Sequence, residues 1–238
     1  TRRNPKFLDE SGDLKTFDIV VSNFPFSMKS WPYEIFADDP FGRSEGYTLP
    51  PKKNADYAFI LHIIKSMNSN GRAGVVVPHG VLFKSDASGD IRKQILQNDF
   101  IEAVIAFPAK LFYGVSIPAA TIIFNKNKPE ERKGKVLIID AEAEYEEGKK
   151  QNRLRNKDIE KIVKTFDEFK DVEKYARVVD IEEIEKNEWN LNIRRYVDIS
   201  EEEVVIDVKD VVEDLKKLEY EREKIDVEVN KFLNQLGY

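Results

Sequence analysis

The pentapeptide Ser22-Asn23-Phe24-Pro25-Phe26 is the stretch of this 238-residue chain whose residue types and spacing point most directly to chemistry. Asn23 carries an amide oxygen that accepts hydrogen bonds. The peptide carbonyl of Phe24 is a second acceptor close by. Pro25 has no N–H and a fixed φ, which stiffens the bend, and Phe26 presents a flat apolar face. Two acceptors beside an aromatic platform suit a planar ligand with an exocyclic NH₂, and adenine is such a ligand. Accepting both N6 hydrogens leaves the nitrogen lone pair free to attack an activated methyl group. A base must leave the duplex to reach such a pocket. Stacking on Phe26, at about 1–3 kcal/mol, is comparable with the few kcal/mol that flipping costs.

The elements that must position this peptide follow from the apolar pattern. Residues 17–22 read as a buried strand, short, β-branched and closed by turn residues. In open α/β sheets ligands bind beyond the carboxyl ends of strands, which is where Asn23 falls. Residues 27–54 hold Pro32, Pro40, Pro50 and Pro51 with Gly42 and Gly46 and read as a long loop; a loop of that length inside a compact domain is functional or disordered. Residues 55–69 follow as a helix with Phe59, Ile60, Ile63, Ile64 and Met67 on one face, Asn54 or Asp56 as its cap and Gly71 just past its end. Further strands are expected at Ala73–Pro78, Ile101–Phe107, Ala119–Asn125 and Val136–Ile139, and helices at 89–98 and 157–169, with a short one around Ile181 and Ile184. Alternating helices and strands apolar on both faces indicate an α/β sheet covered on both sides.

Composition narrows the alternatives. The chain lacks cysteine and has only His62 and His79, which excludes disulfides, thiolate metal sites and multi-histidine centres and suits a reducing cytoplasm. No run approaches the length of a membrane span. The net charge of −6 argues against autonomous, tight DNA binding but leaves room for a local basic patch, or for DNA held by a partner. Lys29, Arg43, Lys52 and Lys53 lie in the loop beside Asn23 and read equally as phosphate contacts or as solvated charges. His79, in a Pro-His-Gly turn, reads as a neutral turn histidine before it reads as a base, and His62 as a packing or surface residue. The acidic run Glu142 to Glu147 reads as a solvated face.

Asn23 to Phe26 resembles the Asn-Pro-Pro-Phe/Tyr signature of amino-methyltransferases, with Phe24 where proline is usual. In order along the chain, Ala55-Asp56-Tyr57-Ala58-Phe59, Gly71 to Phe83, Ile91-Arg92, Ile101 to Ile105, Pro108-Ala109, Leu111-Phe112-Tyr113-Gly114, Ile117-Pro118-Ala119, Tyr175 to Val179 and Tyr196-Val197-Asp198 are similar to the modification subunits of type I restriction–modification systems, which are DNA adenine-N6 methyltransferases. The resemblance runs from about Phe17 to Asp198. It implies an α/β, Rossmann-like methyltransferase sheet of which this chain carries the C-terminal part, followed by a helical tail. The family sheet has strand order 3-2-1-4-5-7-6, and this chain is expected to supply strands 4 to 7 within residues 1–140, a helical extension over 141–205 and an association helix over 206–238.

The resemblance further implies S-adenosyl-L-methionine as cofactor, Asn23, Phe24, Pro25 and Phe26 as catalytic residues, and Tyr113, Gly114, Ile117 and Pro118 near the base pocket. DNA, a specificity subunit, a restriction subunit and a second modification subunit are its expected partners. The family's cofactor turn is glycine-rich, yet no G-x-G occurs in this chain, so its cofactor-binding residues stay unassigned. The chain alone is expected neither to bind the cofactor appreciably nor to methylate, and to self-associate through the free edge of the 17–22 strand.

The tail repeats apolar residues at alternating spacings of four and three: Val211, Leu215, Leu218, Ile225, Val229, Phe232 and Leu236, with Arg222 as the polar interruption. This heptad seam calls for a partner or for packing on its own domain. The competing function class is therefore a non-catalytic scaffold, in which the Asn23 motif is degenerate and the tail is the working part.

Overall fold

Six strands form one sheet in the order β1-β2-β4-β3-β5-β6: β1 (Phe17–Asn23), β2 (Met67–Pro78), β3 (Ile101–Ala106), β4 (Ala119–Asn125), β5 (Lys135–Asp140) and β6 (Ala176–Asp180). The structure is a computed structural model that describes residues 5–112, 117–199 and 208–236. The chain divides into two compact units, Thr1–Ile199 and Ser200–Tyr238. β1 runs parallel to β2, β4 lies antiparallel between β2 and β3, β3 runs parallel to β5, and β5 is antiparallel to β6. The first four strands thus stand in the expected 4-5-7-6 order, with the antiparallel strand inside.

The two faces are covered unequally. On one face Val75 and Val77 of β2, Ile122 and Phe124 of β4, Val104 of β3 and Ile138 of β5 are buried together with helical side chains. Those come from α1 (Tyr33–Ala37), α2 (Asp56–Lys65), α3 (Gly80–Phe83), α4 (Ala87–Gln97) and α6 (Ile181–Lys186). On the other face α5 (Asn156–Glu168) sets Ile162 and Phe166 against Ala103, Ile105, Leu137, Ile139 and Ala176. That cover does not extend to β1, where Ile19 is 73% and Val21 81% exposed. β1 is therefore a half-buried edge strand rather than the buried strand expected, and the sheet is not clad on both sides throughout. Helix α7 (Val208–Gln235) makes up the described part of the second unit, with Leu215, Leu218, Ile225, Val229, Phe232 and Leu236 exposed along it.

Local differences from the sequence expectation have physical causes. Helix α2 stops at Lys65 because Ser66 closes it: its N–H and hydroxyl both reach the carbonyl of His62. Residues from Met67 onward then join β2, and Gly71 is a strand residue rather than a helix stop. A Cβ on Gly71 would lie 2.9 Å from the Cβ of Met67 and 3.0 Å from the carbonyl oxygen of Phe17, so only glycine permits this close crossing of backbones. β6 was not anticipated, since five residues with Arg177 and Asp180 among them carry little strand signal. Residues 141–205 accordingly hold α5 and α6 together with a strand hydrogen-bonded to β5.

The 27–54 segment is an ordered cover rather than an open loop. Trp31 and Phe36 are buried, and the Trp31 indole N–H donates to the carbonyl of Pro51 at 3.2 Å. The Arg43 guanidinium pairs with Asp39 at 2.7 Å and lies over the rings of Phe36 and Phe41. Both side chains of that pair are buried, which removes Arg43 from the candidate phosphate contacts.

Among the described residues no helix is long and apolar enough to cross a membrane, and no group of His, Asp and Glu is placed to hold a metal ion.

Candidate functional site

β1 delivers Asn23 to the carboxyl edge of the sheet, paired with Val76 and on the same face of the strand as exposed Ile19 and Val21. Alternation along a strand makes this placement unavoidable. Asn23 is exposed, so its amide is turned to the outside and not into the core. Phe24 leaves the strand in the opposite sense and is buried, with only 5% of its surface exposed. Its ring stacks on Phe59 of α2, with centroids 4.9 Å apart and planes 8° from parallel, and meets Phe26 edge-on at 6.0 Å and 80°. Phe26 is half-buried against the same core, and Pro25 is exposed between the two rings.

Phe24 is thus held by ring packing at the position where the family's usual residue is proline.

A second bolt comes from Asp56, a side chain 2% exposed at the first position of α2. Its Oδ1 accepts the backbone N–H of Ser27 at 2.7 Å, while the Asn54 side chain accepts the N–H of Asp56 at 2.9 Å. Ser27 sits in the left-handed region, φ 53°, which such a local hydrogen bond helps to hold. The N–H of Ala55 donates to the carbonyl of Met28 at 3.1 Å, closing the loop onto the helix start. Burial raises the Asp56 carboxyl above its ordinary pKa, and the hydrogen bonds from Ser27 and Asn54 and the charge of Lys84 oppose that rise. In the sequence Asp56 reads only as a possible helix cap. Its partner lies 29 residues away, and nothing local signals such a bond.

The other polar residues of this rim lie close together, with His79 Nε2 and Asp140 Oδ2 buried and without a hydrogen bond. His79 Nε2 lies 3.8 Å from Glu142 Oε1, and Arg194 reaches Glu142 at 2.7 Å and Asp140 at 3.5 Å. Burial raises the pKa of Asp140, with the N–H of Glu142 hydrogen-bonded to it in opposition. Glu142 is thus an ion-pairing residue rather than part of a solvated face. His62 lies in α2 away from the bend, and burial, with the charge of Arg43 adding, pushes its pKa down to about 4. Ile117 is exposed and Pro118 half-buried, whereas Tyr113 and Gly114 fall outside the described residues.

Gly71 is pressed on Met67 and Phe17 inside β2, and Gly74 stands mid-strand. Gly80 opens α3 just after β2, but as a single glycine whose free side is filled by Lys84, 3.0 Å from where a Cβ would stand. The residues present thus do not fit a glycine-lined nucleotide site. What they can do is present two oxygen acceptors and a ring edge at a pinned bend.

Comparison with known proteins sets this geometry in context. Residues 1–204 match the sequence model of a family described as N-6 DNA Methylase. The chain is 40% identical to the methylase subunit of the type I restriction enzyme MjaVIII of Methanocaldococcus jannaschii, over 98% of this chain and 41% of that protein. It is 31% identical to the HindI methylase subunit of Haemophilus influenzae, over 94% of this chain and 52% of that protein. The crystal structure of a type I restriction-modification methyltransferase subunit from Streptococcus thermophilus superposes with a TM-score of 0.73 at 41% identity, covering 78% of this chain and 39% of that one. The chain thus spans about two fifths of the length of the M. jannaschii relative.

Proposed function

This chain belongs to the N-6 DNA methylase family, and from that premise we propose that it is the acceptor-holding part of a DNA adenine-N6 methyltransferase subunit of a type I restriction–modification system. The observation that carries the reading is Asn23 itself: an exposed amide at the carboxyl edge, on a bend fixed by the Phe24–Phe59 stack and the Asp56–Ser27 hydrogen bond. The amide oxygen of Asn23 and the peptide oxygen of Phe24 accept the two N6 hydrogens of an extruded adenine, and Phe26 flanks its ring. Held so, the N6 lone pair is left free to face a methyl donor; S-adenosyl-L-methionine would supply the methyl group.

Within this reading residues 1–140 are the partial catalytic domain, Asn23, Phe24, Pro25 and Phe26 hold the base, and the cofactor contacts lie outside the residues described. The exposed apolar line of α7 suits helix-to-helix association with a specificity subunit or a second modification subunit, and a restriction subunit completes the set of partners. That same line also supports a second reading, a scaffold whose motif is degenerate.

Methyl transfer to adenine-containing DNA, measured on the protein extended to the length of its relatives, separates the two. Removal of one preorganised hydrogen-bonding group at a reacting centre costs roughly 100- to 1000-fold in rate. Asn23→Ala should therefore lose at least about a hundredfold. No methyl transfer by the parent protein would leave only the scaffold, and an unchanged rate in Asn23→Ala would remove Asn23 from the reacting centre.

A further inference from the structure

At its far end the 27–54 cover carries charges of both signs: Asp39 is paired with Arg43, Glu45 lies 3.8 Å from Lys65, and Asp38 joins Asp13 around a cleft of about 690 Å³ at the amino end of β1. Its two ends near the Asn23 bend carry Lys29, Lys52 and Lys53, all exposed. Two links fix these lysines in one place: Ala55 N–H to Met28 carbonyl at 3.1 Å, and Trp31 indole N–H to Pro51 carbonyl at 3.2 Å. A fourth exposed lysine, Lys84, follows α3 at the carboxyl end of β2, and its backbone carbonyl is held by Arg92 at 2.9 Å.

Some lysines elsewhere are neutralised by acids, as in the Lys128–Asp99, Lys133–Glu130 and Lys161–Glu144 pairs, while others such as Lys15 are not. Among the described residues none of the four lysines near the bend has an acid within ion-pair distance, although the charge of Lys84 is felt by Asp56, and only Lys52 has a ring partner, Tyr33, 4.9 Å away.

On a chain of net charge −6, unpaired cations ringing one bend are a selective attraction for a polyanion at that point. We propose that Lys29, Lys52, Lys53 and Lys84 form a lip that grips the phosphates flanking the extruded base, so that this segment contributes its own backbone grip on the target strand. The proposal rests on the adenine-holding reading of Asn23. Ammonium groups on flexible stems suit it, because they follow a phosphate chain without reading sequence. The neighbouring Tyr33 and Trp31 keep the segment stiff beneath them.

The test is the salt dependence of binding of this chain to a fluorescent 20-nucleotide single strand. Each phosphate contact contributes roughly 0.7 to the slope of log affinity against log salt on single strands. Simultaneous replacement of the four lysines by alanine should lower that slope by roughly 2–3. Replacement of Lys15 and Lys133, at the amino ends of β1 and β5, should leave it nearly unchanged. An unaltered slope in the fourfold variant would overturn the lip, as would an equal loss in the Lys15/Lys133 variant. Vesicles of phosphatidylserine bound in preference to the strand, with the same lysine dependence, would overturn it too. Asn23→Ala should keep the full slope. If the fourfold variant loses slope while Asn23→Ala still methylates in the extended protein, the lip stands and the adenine reading falls.

Discussion

Asp56 provides the sharpest test of how the bend is held. Asp56→Ala deletes the acceptor that lies 2.7 Å from the N–H of Ser27 and leaves that donor, on a residue in the left-handed region, without its partner. Leaving a part-buried hydrogen-bonding group without its partner costs about 1–3 kcal/mol. For a unit of this size a loss of about 2 kcal/mol lowers the melting temperature by about 4–8 °C. The charge itself works the other way. Burial raises the folded pKa of Asp56 above its unfolded value, so the linked stability is fully present below the ordinary carboxylate range and is lost as pH rises through the raised value. At neutral pH the gain thus comes from the position of the oxygen, not from the negative charge. Asp56→Asn keeps an acceptor without the charge, and should melt within about 3 °C of the parent at pH 7, in line with a change below about 1 kcal/mol. Thermal unfolding followed by circular dichroism at pH 7 decides the matter. Equal losses for alanine and asparagine, or none for alanine, would refute this account of the bend.

Other consequences are equally accessible. Phe24→Pro, which restores the family's usual residue, should destabilise by about 3 kcal/mol because it empties a buried ring site stacked on Phe59; a raised melting temperature would contradict the packing role. His62, with its pKa pushed down to about 4, stays neutral in the fold while the unfolded chain protonates below about pH 6.5. The linked stability is full above that pH and falls toward pH 4, by at most about 3 kcal/mol at about 1.4 kcal/mol per pKa unit. His62→Gln should flatten the melting profile across that window, and an unaltered profile would exclude His62 as its source. The bare edge and face at Ile19 and Val21 should drive self-association at high concentration, reversed by Val21→Lys; sedimentation as a clean monomer would count against it.

Much of this arrangement is legible in the sequence. Ala73–Pro78, Ile101–Ala106 and Ala119–Asn125 are apolar runs bounded by turn residues, and their order in the sheet follows from the family resemblance. Asn23 is legible because a motif of contrasting residue types ends a strand. What escapes is what depends on distant partners. Asp56 reaches Ser27 across 29 residues, Phe24 meets Phe59 across a loop rich in proline, and Arg43 disappears into a pair with Asp39 that no local pattern marks as buried. Gly71 looks like a helix stop because glycine commonly ends helices, whereas here it permits the crossing of Phe17 and Met67. β6 escapes because an edge strand of five residues next to charged neighbours is held by β5 more than by its own propensity.

Recognition of the exocyclic amino group by Asn23 and the Phe24 carbonyl can be measured most directly by isotope-edited NMR of the Asn23 side-chain amide. The titrants are single strands identical except for adenine or unsubstituted purine at one position. Two hydrogen bonds at about 0.5–1.5 kcal/mol each predict that the adenine strand binds about tenfold more tightly. The Asn23 amide resonances should shift with the adenine strand alone. Equal affinities with unmoved Asn23 resonances would contradict the proposal that this bend reads an adenine amino group.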